Sequence, residues 1–183
     1  MPEMPEVETI RRTLDAKVTG RRIVRVEMLL PRLVKWPSPG EFQALLTDTV
    51  ISRLARRGKY LLFYLDSGIV MVVHLRMTGR LFIQNELNGD RFARIVFDLD
   101  DGKQLVYADS RTLGTLYAMP EPELWRIAGL HTMGPEPLSP EFTPGYFREK
   151  LLGRKGKIKA LLLDQKVIGG LGNIYVDESL ALA

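Results

Sequence analysis

The sequence contains no cysteine and only two histidines among its 183 residues. Disulfides and thiolate zinc sites are therefore excluded for this chain, and a histidine-based metal site is not expected. Long hydrophobic runs are also missing, because no stretch reaches the roughly 18 to 20 apolar residues of a membrane-spanning helix. The start, MPEMPEVET, lacks the basic-then-apolar layout of a signal peptide. We expect a cytoplasmic protein that works without a cofactor in this chain.

The composition supports a globular fold with one sizeable core, since 45% of the residues are hydrophobic and 26% are charged. The formal net charge of +4 suits a polyanionic partner, but many proteins carry such a charge for solubility alone. Composition therefore raises nucleic-acid binding as a hypothesis and does no more.

The first two-thirds of the chain predict one helix followed by a mainly β domain. Apolar residues at spacings of three and four, followed by Gly20, indicate a helix over 5–19. Runs rich in branched and aromatic residues predict strands over 23–30, 60–65, 69–77, 94–99, 105–107 and 115–118. Turn residues at 66–68 and 100–102 are typical of tight hairpins, which favours an antiparallel sandwich or barrel.

The last third is predicted to be helical. Residues 134–145 carry four prolines and two glycines, which predicts a linker. Beyond it, a helix, a glycine-rich turn at 167–172 and a second helix capped by Asn173 follow. The predicted fold is α+β: an antiparallel β-sandwich with a leading helix over 1–133, the linker over 134–145, and a helical DNA-binding segment over 146–183.

The N-terminus has two interpretations. Pro5 and the nearby acids are typical of a helix start, where carboxylates face the positive end of the helix dipole. Alternatively, removal of Met1 exposes Pro2 as a secondary amine. An α-amine has a pKa near 8 against about 10.4 for lysine, so a useful fraction is nucleophilic at neutral pH. Pro2 would then attack a sugar C1′, with Glu3 as the adjacent acid and base.

Three other basic stretches have open interpretations. Arg56 to Lys59 is either a solvated charge run or a ligand site approached closely at Gly58. Met77 and Leu113 lie beside arginines at predicted strand ends, where apolar side chains either pack in the core or enter a base stack. The lysines of 150–159 form either a solvated helix face or, with the glycine-rich turn, a phosphate site.

Six motifs in order resemble the formamidopyrimidine-DNA glycosylase family over the whole chain. They are PEMPEVETIRR, RRGKYLLF, HLRMTGRL, DSR-x-x-GT, GPEPLSPEF and KALLLDQKVIGGLGNIYVDESL. The PEVETIRR form is similar to the branch that acts on 8-oxoguanine and formamidopyrimidines, rather than to the endonuclease VIII branch. With this resemblance, the interpretation of Pro2 as a mere helix start is abandoned.

The resemblance implies roles for individual residues. Pro2 is implied as the Schiff-base nucleophile, Glu3 as a proton donor, Glu6 as a supporting carboxylate, and Lys59 as a proton donor in strand cleavage and a phosphate contact. The implied DNA contacts are His74, Met77, Arg94, Arg111, Leu113, Lys155 and Asn173. There are two departures from the family: Leu113 replaces the usual Phe, and Phe92 and Arg94 lie in a region where a His is often found.

The implied function is base-excision DNA repair. A bifunctional DNA glycosylase and AP lyase would remove oxidised purines through a Schiff base on the N-terminal proline and cleave the strand by β/δ-elimination. Its partner would be double-stranded DNA with oxidised purines or abasic sites, bound by a monomer away from membranes. The family's structural zinc lies in a C-terminal finger beyond Ala183, so the alternative is a truncated, non-catalytic damaged-DNA-binding module of the same fold.

Overall fold

A computed structural model describes residues 1–85 and 90–183. Its first helix, α1, spans Met4–Val18, which confirms the predicted helix with a shift of one residue at each end. Pro5 lies in the first turn, and Val7, Leu14 and Val18 are buried against the sheet. Within the two described ranges, no helix combines the length and the apolar character needed to cross a membrane.

The described residues contain nine strands. They are β1 Arg22–Met28, β2 Val34–Trp36, β3 Thr49–Arg57, β4 Tyr60–Leu65, β5 Ile69–His74, β6 Gly79–Gln84, β7 Ala93–Leu99, β8 Gln104–Asp109 and β9 Thr115–Pro120. Their order is β2-β9-β5-β4-β3-β1-β7-β8-β6. Among the described strands, every neighbouring pair is antiparallel except β2 and β9, which are parallel.

The two halves of the sheet share one hydrophobic core. Strands β1 and β3 pair only through Arg22 with Val50 and Ile23 with Thr49, so the halves meet along a short seam. Phe63 from one half and Phe97 from the other lie in the same buried cluster. Packing of both inner faces around one core is the arrangement expected of a sandwich, and the predicted α+β class is confirmed.

The two predicted hairpins are confirmed. Gly68 lies between β4 and β5 with φ +80°, and Gly102 lies between β7 and β8 with φ +78°. In each turn, the glycine N–H donates to the last residue of the preceding strand, Leu65 or Leu99, at 3.1 Å. A left-handed backbone at these positions favours glycine because it has no Cβ.

Several predicted boundaries were wrong. Strand β5 ends at His74 rather than Met77, because Arg76 adopts φ +54° in a turn closed by a hydrogen bond from Gly79 N to the Leu75 carbonyl. Strand β1 ends at Met28 rather than at residue 30. The strands β2, β3 and β6 and the helix α2, Pro39–Leu46, were not predicted.

The helices α4 Pro144–Leu151, α5 Ile158–Leu163 and α6 Asn173–Leu182 pack around a separate core. The short helix α3, Ala128–His131, precedes them, and its Leu130 packs with a cluster of the β domain. The proposed linker extends too far, since Pro144 begins α4 and Thr143 caps it by accepting from Tyr146 N at 3.0 Å. Asn173 is the first residue of α6 and not its cap, because Gly172 holds the cap position.

Candidate active site at the N-terminus

The Glu3 carboxylate is buried against the start of helix α6, with 3% of the residue exposed. Its Oε2 accepts from Gly172 N at 2.7 Å and from Tyr175 N at 3.4 Å, and its Oε1 accepts from Ile174 N at 2.9 Å. The first N–H groups of a helix lack partners within the helix and favour a negative charge. Glu3 therefore joins the N-terminus of the chain to the C-terminal helical unit.

At the glycine-rich turn, where one of the two interpretations placed a phosphate, the structure holds a carboxylate of the chain itself. The N–H groups at the start of α6 bind the Glu3 carboxylate, and Gly170 N donates to Gln165 Oε1 at 2.9 Å. A Cβ on Gly172 would lie 2.4 Å from Glu3 Cδ, so the close fit requires glycine. The anion that these groups hold is thus the protein's own carboxylate, while the Asn173 side chain beside them is exposed.

Glu6 supports the same arrangement from one turn along α1. Its Oε2 accepts from the backbone N–H of Glu3 at 2.9 Å, and its Oε1 accepts from the Tyr175 hydroxyl at 2.8 Å. Partial burial opposes the charged form, but these hydrogen bonds outweigh it and hold the pKa of Glu6 below its usual value. Glu6 therefore fixes the backbone of Glu3 and ties it a second time to α6.

Lys59 lies close to this carboxylate cluster and is buried, with 7% of the residue exposed. Burial lowers the pKa of Lys59, and the nearby Glu3 carboxylate opposes the shift in part. A lysine with a lowered pKa exchanges its proton more readily near neutral pH. Lys59 can therefore both carry charge toward a phosphate and transfer a proton.

Gly58, which precedes Lys59, does not leave room for an external ligand. Its φ is +55°, and a Cβ there would lie 2.5 Å from Met133 Sδ. Its N–H donates to Glu136 Oε1 at 2.6 Å. The backbone of Gly58 therefore lies close to Met133 and Glu136, in the segment that follows the β domain, and not to a ligand. The ligand interpretation of Gly58 was wrong.

Arg56 forms an ion-pair network that the sequence did not indicate. Its guanidinium donates to both Glu136 oxygens at 2.9 and 2.8 Å and to Glu8 Oε2 at 3.1 Å. Hydrogen bonds from Arg11 and then Arg12 and Arg56 lower the pKa of Glu8 to about 2. The network joins α1, β3 and the start of the proline-rich segment.

His74 is buried beside Lys59 and Arg76. Burial is the main cause that lowers the pKa of His74 to about 3, and these two cations add to it. Its Nδ1 accepts from Arg76 N at 3.1 Å, and its ring meets the edge of Tyr60 with centroids 4.5 Å apart. The neutral ring keeps Nε2–H as a donor, so a DNA contact by His74 stays a prediction.

Pro2 and Met77 line one open cleft of about 490 Å³. The other residues that line it are Thr78, Gly79, Arg80, Phe92 and Ser110. Met77 and Leu113 are exposed by 45% and 46%, although both are large apolar residues. The structure thus places Pro2 next to one of the two predicted wedge residues, and the core interpretation of Met77 and Leu113 was wrong.

The remaining predicted DNA contacts differ in exposure and in the hydrogen bonds that their side chains already make. Arg111 and Lys155 are exposed. Lys155 lies between α4 and α5 outside any helix, so the residues around it do not form the helix face that was one of the two interpretations. The Arg94 guanidinium donates to the carbonyls of Asp109, Arg91 and Ala93, so it holds backbone in this structure.

No metal site is found in the described parts of the chain, where no three His, Asp or Glu side chains cluster closely enough to hold an ion. The residues in hand therefore do not fit the zinc that the resemblance implies for the family.

The fold and site define a class of α+β protein in which the chain's N-terminus is held between a β domain and a helical unit. Comparison with protein families makes this specific. Residues 1–116 match the formamidopyrimidine-DNA glycosylase N-terminal domain, and residues 133–183 match the H2TH domain of the same enzyme. The chain therefore belongs to the formamidopyrimidine-DNA glycosylase family.

Individual relatives agree with this assignment. The chain is 50% identical over 184 aligned residues to formamidopyrimidine-DNA glycosylase from Symbiobacterium thermophilum, covering 100% of this chain and 60% of the relative. The Pelotomaculum thermopropionicum protein is 45% identical, with 98% and 66% covered. A crystal structure of Lactococcus lactis Fpg with abasic-site DNA superposes with a TM-score of 0.91 at 36% identity, covering 98% of this chain and 67% of that one. The chain thus spans about two-thirds of its relatives' length.

Proposed function

We propose that the chain is a base-excision DNA glycosylase and AP lyase whose nucleophile is the amine of Pro2. One observation carries this proposal: Pro2 lines the same cleft as the exposed Met77, while Glu3 beside it is buried next to Lys59. A nucleophile, an acid or base and a lysine with a lowered pKa are the groups that such chemistry needs. The proposed substrate is an oxidised purine nucleotide in duplex DNA.

The first step joins the enzyme to the sugar. Once Met1 is removed, the neutral Pro2 nitrogen attacks C1′, and the glycosidic bond breaks with its electron pair leaving on the base. The base gains a proton, and the deoxyribose ring oxygen is protonated as the ring opens. The nitrogen loses one proton and the second comes from solvent, so the product, an iminium between Pro2 and C1′, carries one positive charge. Glu3 is the proposed carrier of these protons.

Strand cleavage follows from the iminium. A proton is lost from C2′, the C3′–O bond breaks, and the 3′ phosphate leaves with the bonding electrons. A second elimination releases the 5′ phosphate, and hydrolysis of the remaining imine restores the amine. Lys59 is the proposed proton donor at this stage, because its buried ammonium lies near Glu3 and has a lowered pKa.

Duplex DNA must be opened before Pro2 can reach C1′, because a stacked nucleotide hides that carbon. The exposed Met77, Leu113 and Arg111 are the proposed elements that enter the stack. The Lactococcus lactis Fpg structures contain DNA with an abasic site or a Fapy-dG lesion. These ligands support an oxidised-purine or abasic substrate for this chain.

The test is covalent trapping with borohydride on a duplex that contains 8-oxoguanine, with undamaged and abasic duplexes beside it. The proposal expects an adduct with the lesion and abasic duplexes and none with undamaged DNA. The alternative, a damaged-DNA-binding module without turnover, expects lesion-dependent binding with no adduct on either damaged duplex. Adduct formation on undamaged DNA at the same rate would contradict both.

A further inference from the structure

The Asp109 carboxylate lies beneath the two loops that present Met77 and Leu113, and the residue is fully buried. Its Oδ1 accepts from the Thr78 hydroxyl at 2.6 Å and from Arg111 N at 3.2 Å. Its Oδ2 accepts from Leu113 N and Gly114 N, both at 2.9 Å. One side chain thus holds the residue after Met77 and the backbone of Arg111 and Leu113.

The Tyr107 phenol completes this cluster from below. Its hydroxyl donates to Asp109 Oδ2 at 3.2 Å, and the residue is fully buried. A Cβ on Gly114 would lie 1.6 Å from the Tyr107 oxygen, and a Cβ on Gly79 would lie 2.8 Å from it. Both loops therefore pass over the phenol at glycines, which allows the hydroxyl to reach the carboxylate between them.

The loop backbones are held in conformations that they would not adopt freely. Arg76 and Thr112 both have φ +54°, a left-handed backbone that is unfavourable for non-glycine residues. Thr112 is further held by a 2.6 Å hydrogen bond from Arg32 Nη2 to its hydroxyl. Such a backbone persists only where its surroundings impose it, and Asp109 holds the backbone N–H groups of the residues on both sides of Thr112, Arg111 and Leu113.

We infer that Asp109, together with Tyr107, is the positioning element that makes Met77, Arg111 and Leu113 act as one rigid wedge and so sets discrimination between damaged and intact duplexes. Separating stacked bases is unfavourable, and a wedge on a loose loop would be displaced before the bases separated. The inference rests on the proposed function only in that duplex DNA is what the wedge enters.

The charge on Asp109 suits this role. Burial opposes it, but the hydrogen bonds from Thr78, Gly114 and Arg111 outweigh burial and lower the pKa of Asp109. Burial also raises the pKa of Tyr107 well above its ordinary value, which keeps the phenol protonated as a donor. All five hydrogen-bond partners of the Asp109 carboxylate are donors. In Asp109→Asn the amide NH₂ would therefore face other donors and could not accept their hydrogen bonds.

The experiment compares Asp109→Asn and Tyr107→Phe with the unchanged chain. The probes are two duplexes with 2-aminopurine beside either a tetrahydrofuran abasic analogue or a normal nucleotide. The first measurement is the dissociation constant for the normal duplex divided by that for the abasic-analogue duplex, which is called the discrimination ratio. The second is the rise in aminopurine fluorescence at saturation. Tyr146→Phe is the matched control, because it removes a tyrosine hydroxyl that donates to Val167 O at 2.8 Å and not to Asp109.

Tyr107→Phe is expected to lower the ratio by about fivefold, the effect of one lost hydrogen bond, and to reduce the fluorescence rise. Asp109→Asn should lower the ratio more, while Tyr146→Phe leaves it unchanged. Thermal unfolding of each variant distinguishes a loss of discrimination from a loss of folding. Tyr107→Phe keeps the aromatic ring, so the packing around it is preserved. An unchanged ratio in Tyr107→Phe, or an equal loss of affinity for both duplexes, would overturn the inference.

The outcome is distinct from that of the proposed chemistry. Borohydride adduct formation by the unchanged chain is measured in parallel on an abasic duplex. A missing adduct with a normal fluorescence rise contradicts the role of Pro2 and leaves the wedge assignment supported. An adduct with no effect of Tyr107→Phe on discrimination supports Pro2 and overturns the inference.

Discussion

Glu3 Oε2 accepts a 2.7 Å hydrogen bond from Gly172 N, across 169 positions of the chain. The contact is buried, and a Cβ on Gly172 would lie 2.4 Å from Glu3 Cδ. The proposed acid or base is thus held by the helical unit, while the proposed nucleophile beside it faces the cleft of the β domain. The relative position of these two parts of the protein therefore determines the geometry at Pro2.

Gly172→Ala should displace the Glu3 carboxylate from the start of α6. Overpacking at a close contact costs about 1–3 kcal/mol, so the free energy of unfolding should fall by that amount. The rate of borohydride trapping should fall as well. Gly156→Ala is the matched control, because a Cβ at Gly156 meets nothing within 4 Å. If the two variants have the same free energy of unfolding in urea and the same trapping rate, the contact between Gly172 and Glu3 does not have the proposed role.

Glu3→Gln should suppress base excision far more than DNA binding. The amide keeps the size of the side chain but cannot carry the proton, a loss of about 10²- to 10⁴-fold in the excision rate. One N–H donor at α6 would then face the NH₂ group, which should lower the free energy of unfolding by about 1–3 kcal/mol. Single-turnover excision and binding to an abasic duplex measure the two effects. A parallel loss in both assays would mean that Glu3 acts only in the fold.

The free energy of unfolding should depend on pH through His74. Its folded pKa of about 3 lies below the unfolded value, so the unfolded chain binds the proton more strongly between about pH 3 and 6.5. Stability is fully present above this window and is lost as the pH falls through it. Between pH 7 and pH 5 the loss from this group should be about 2 kcal/mol.

His74→Gln tests the assignment, with His131→Gln as the control. His131 is the other histidine of the chain and is exposed. Urea unfolding of the three proteins at pH 5, 6 and 7 should show a flatter dependence only in His74→Gln. A dependence that survives in that variant would show that other groups cause it.

Leu113→Phe should strengthen binding to a damaged duplex by the order of 1 kcal/mol, because a ring stacks on a base and a leucine does not. Leu113 is 46% exposed on the loop held by Asp109, so the larger side chain has room. Equilibrium binding to abasic and intact duplexes measures the effect. An equal gain on both duplexes would place Leu113 away from the wedge.

Local patterns were sufficient for part of the fold. The spacing of Val7, Leu14 and Val18 predicted α1, and the turns at Gly68 and Gly102 predicted two hairpins. Strand β3 was missed because three arginines and a serine interrupt its apolar residues, so no clear alternation remains. Its pairing with β4 stabilises it, and such pairing depends on residues that are distant from any local pattern.

The site shows the same limit. Pro2, Glu3 and Lys59 were indicated by motifs near one another in sequence or by family resemblance. The partners of Glu3 lie at the other end of the chain, and nothing near Glu3 in sequence indicated them. Asp109 lies in the DSR-x-x-GT motif but was given no role of its own, because its five donors are assembled only by the fold.

The most direct test of the account compares trapping by two preparations of the unchanged sequence, one with Met1 removed and one with Met1 retained. A retained Met1 makes the Pro2 nitrogen an amide, which is not nucleophilic. With borohydride and an abasic duplex, the processed protein should form a covalent adduct, and mass spectrometry should place the DNA on Pro2. The retained form should form none. An adduct of equal yield from the Met1-retaining protein would assign the nucleophile to a lysine and contradict the account.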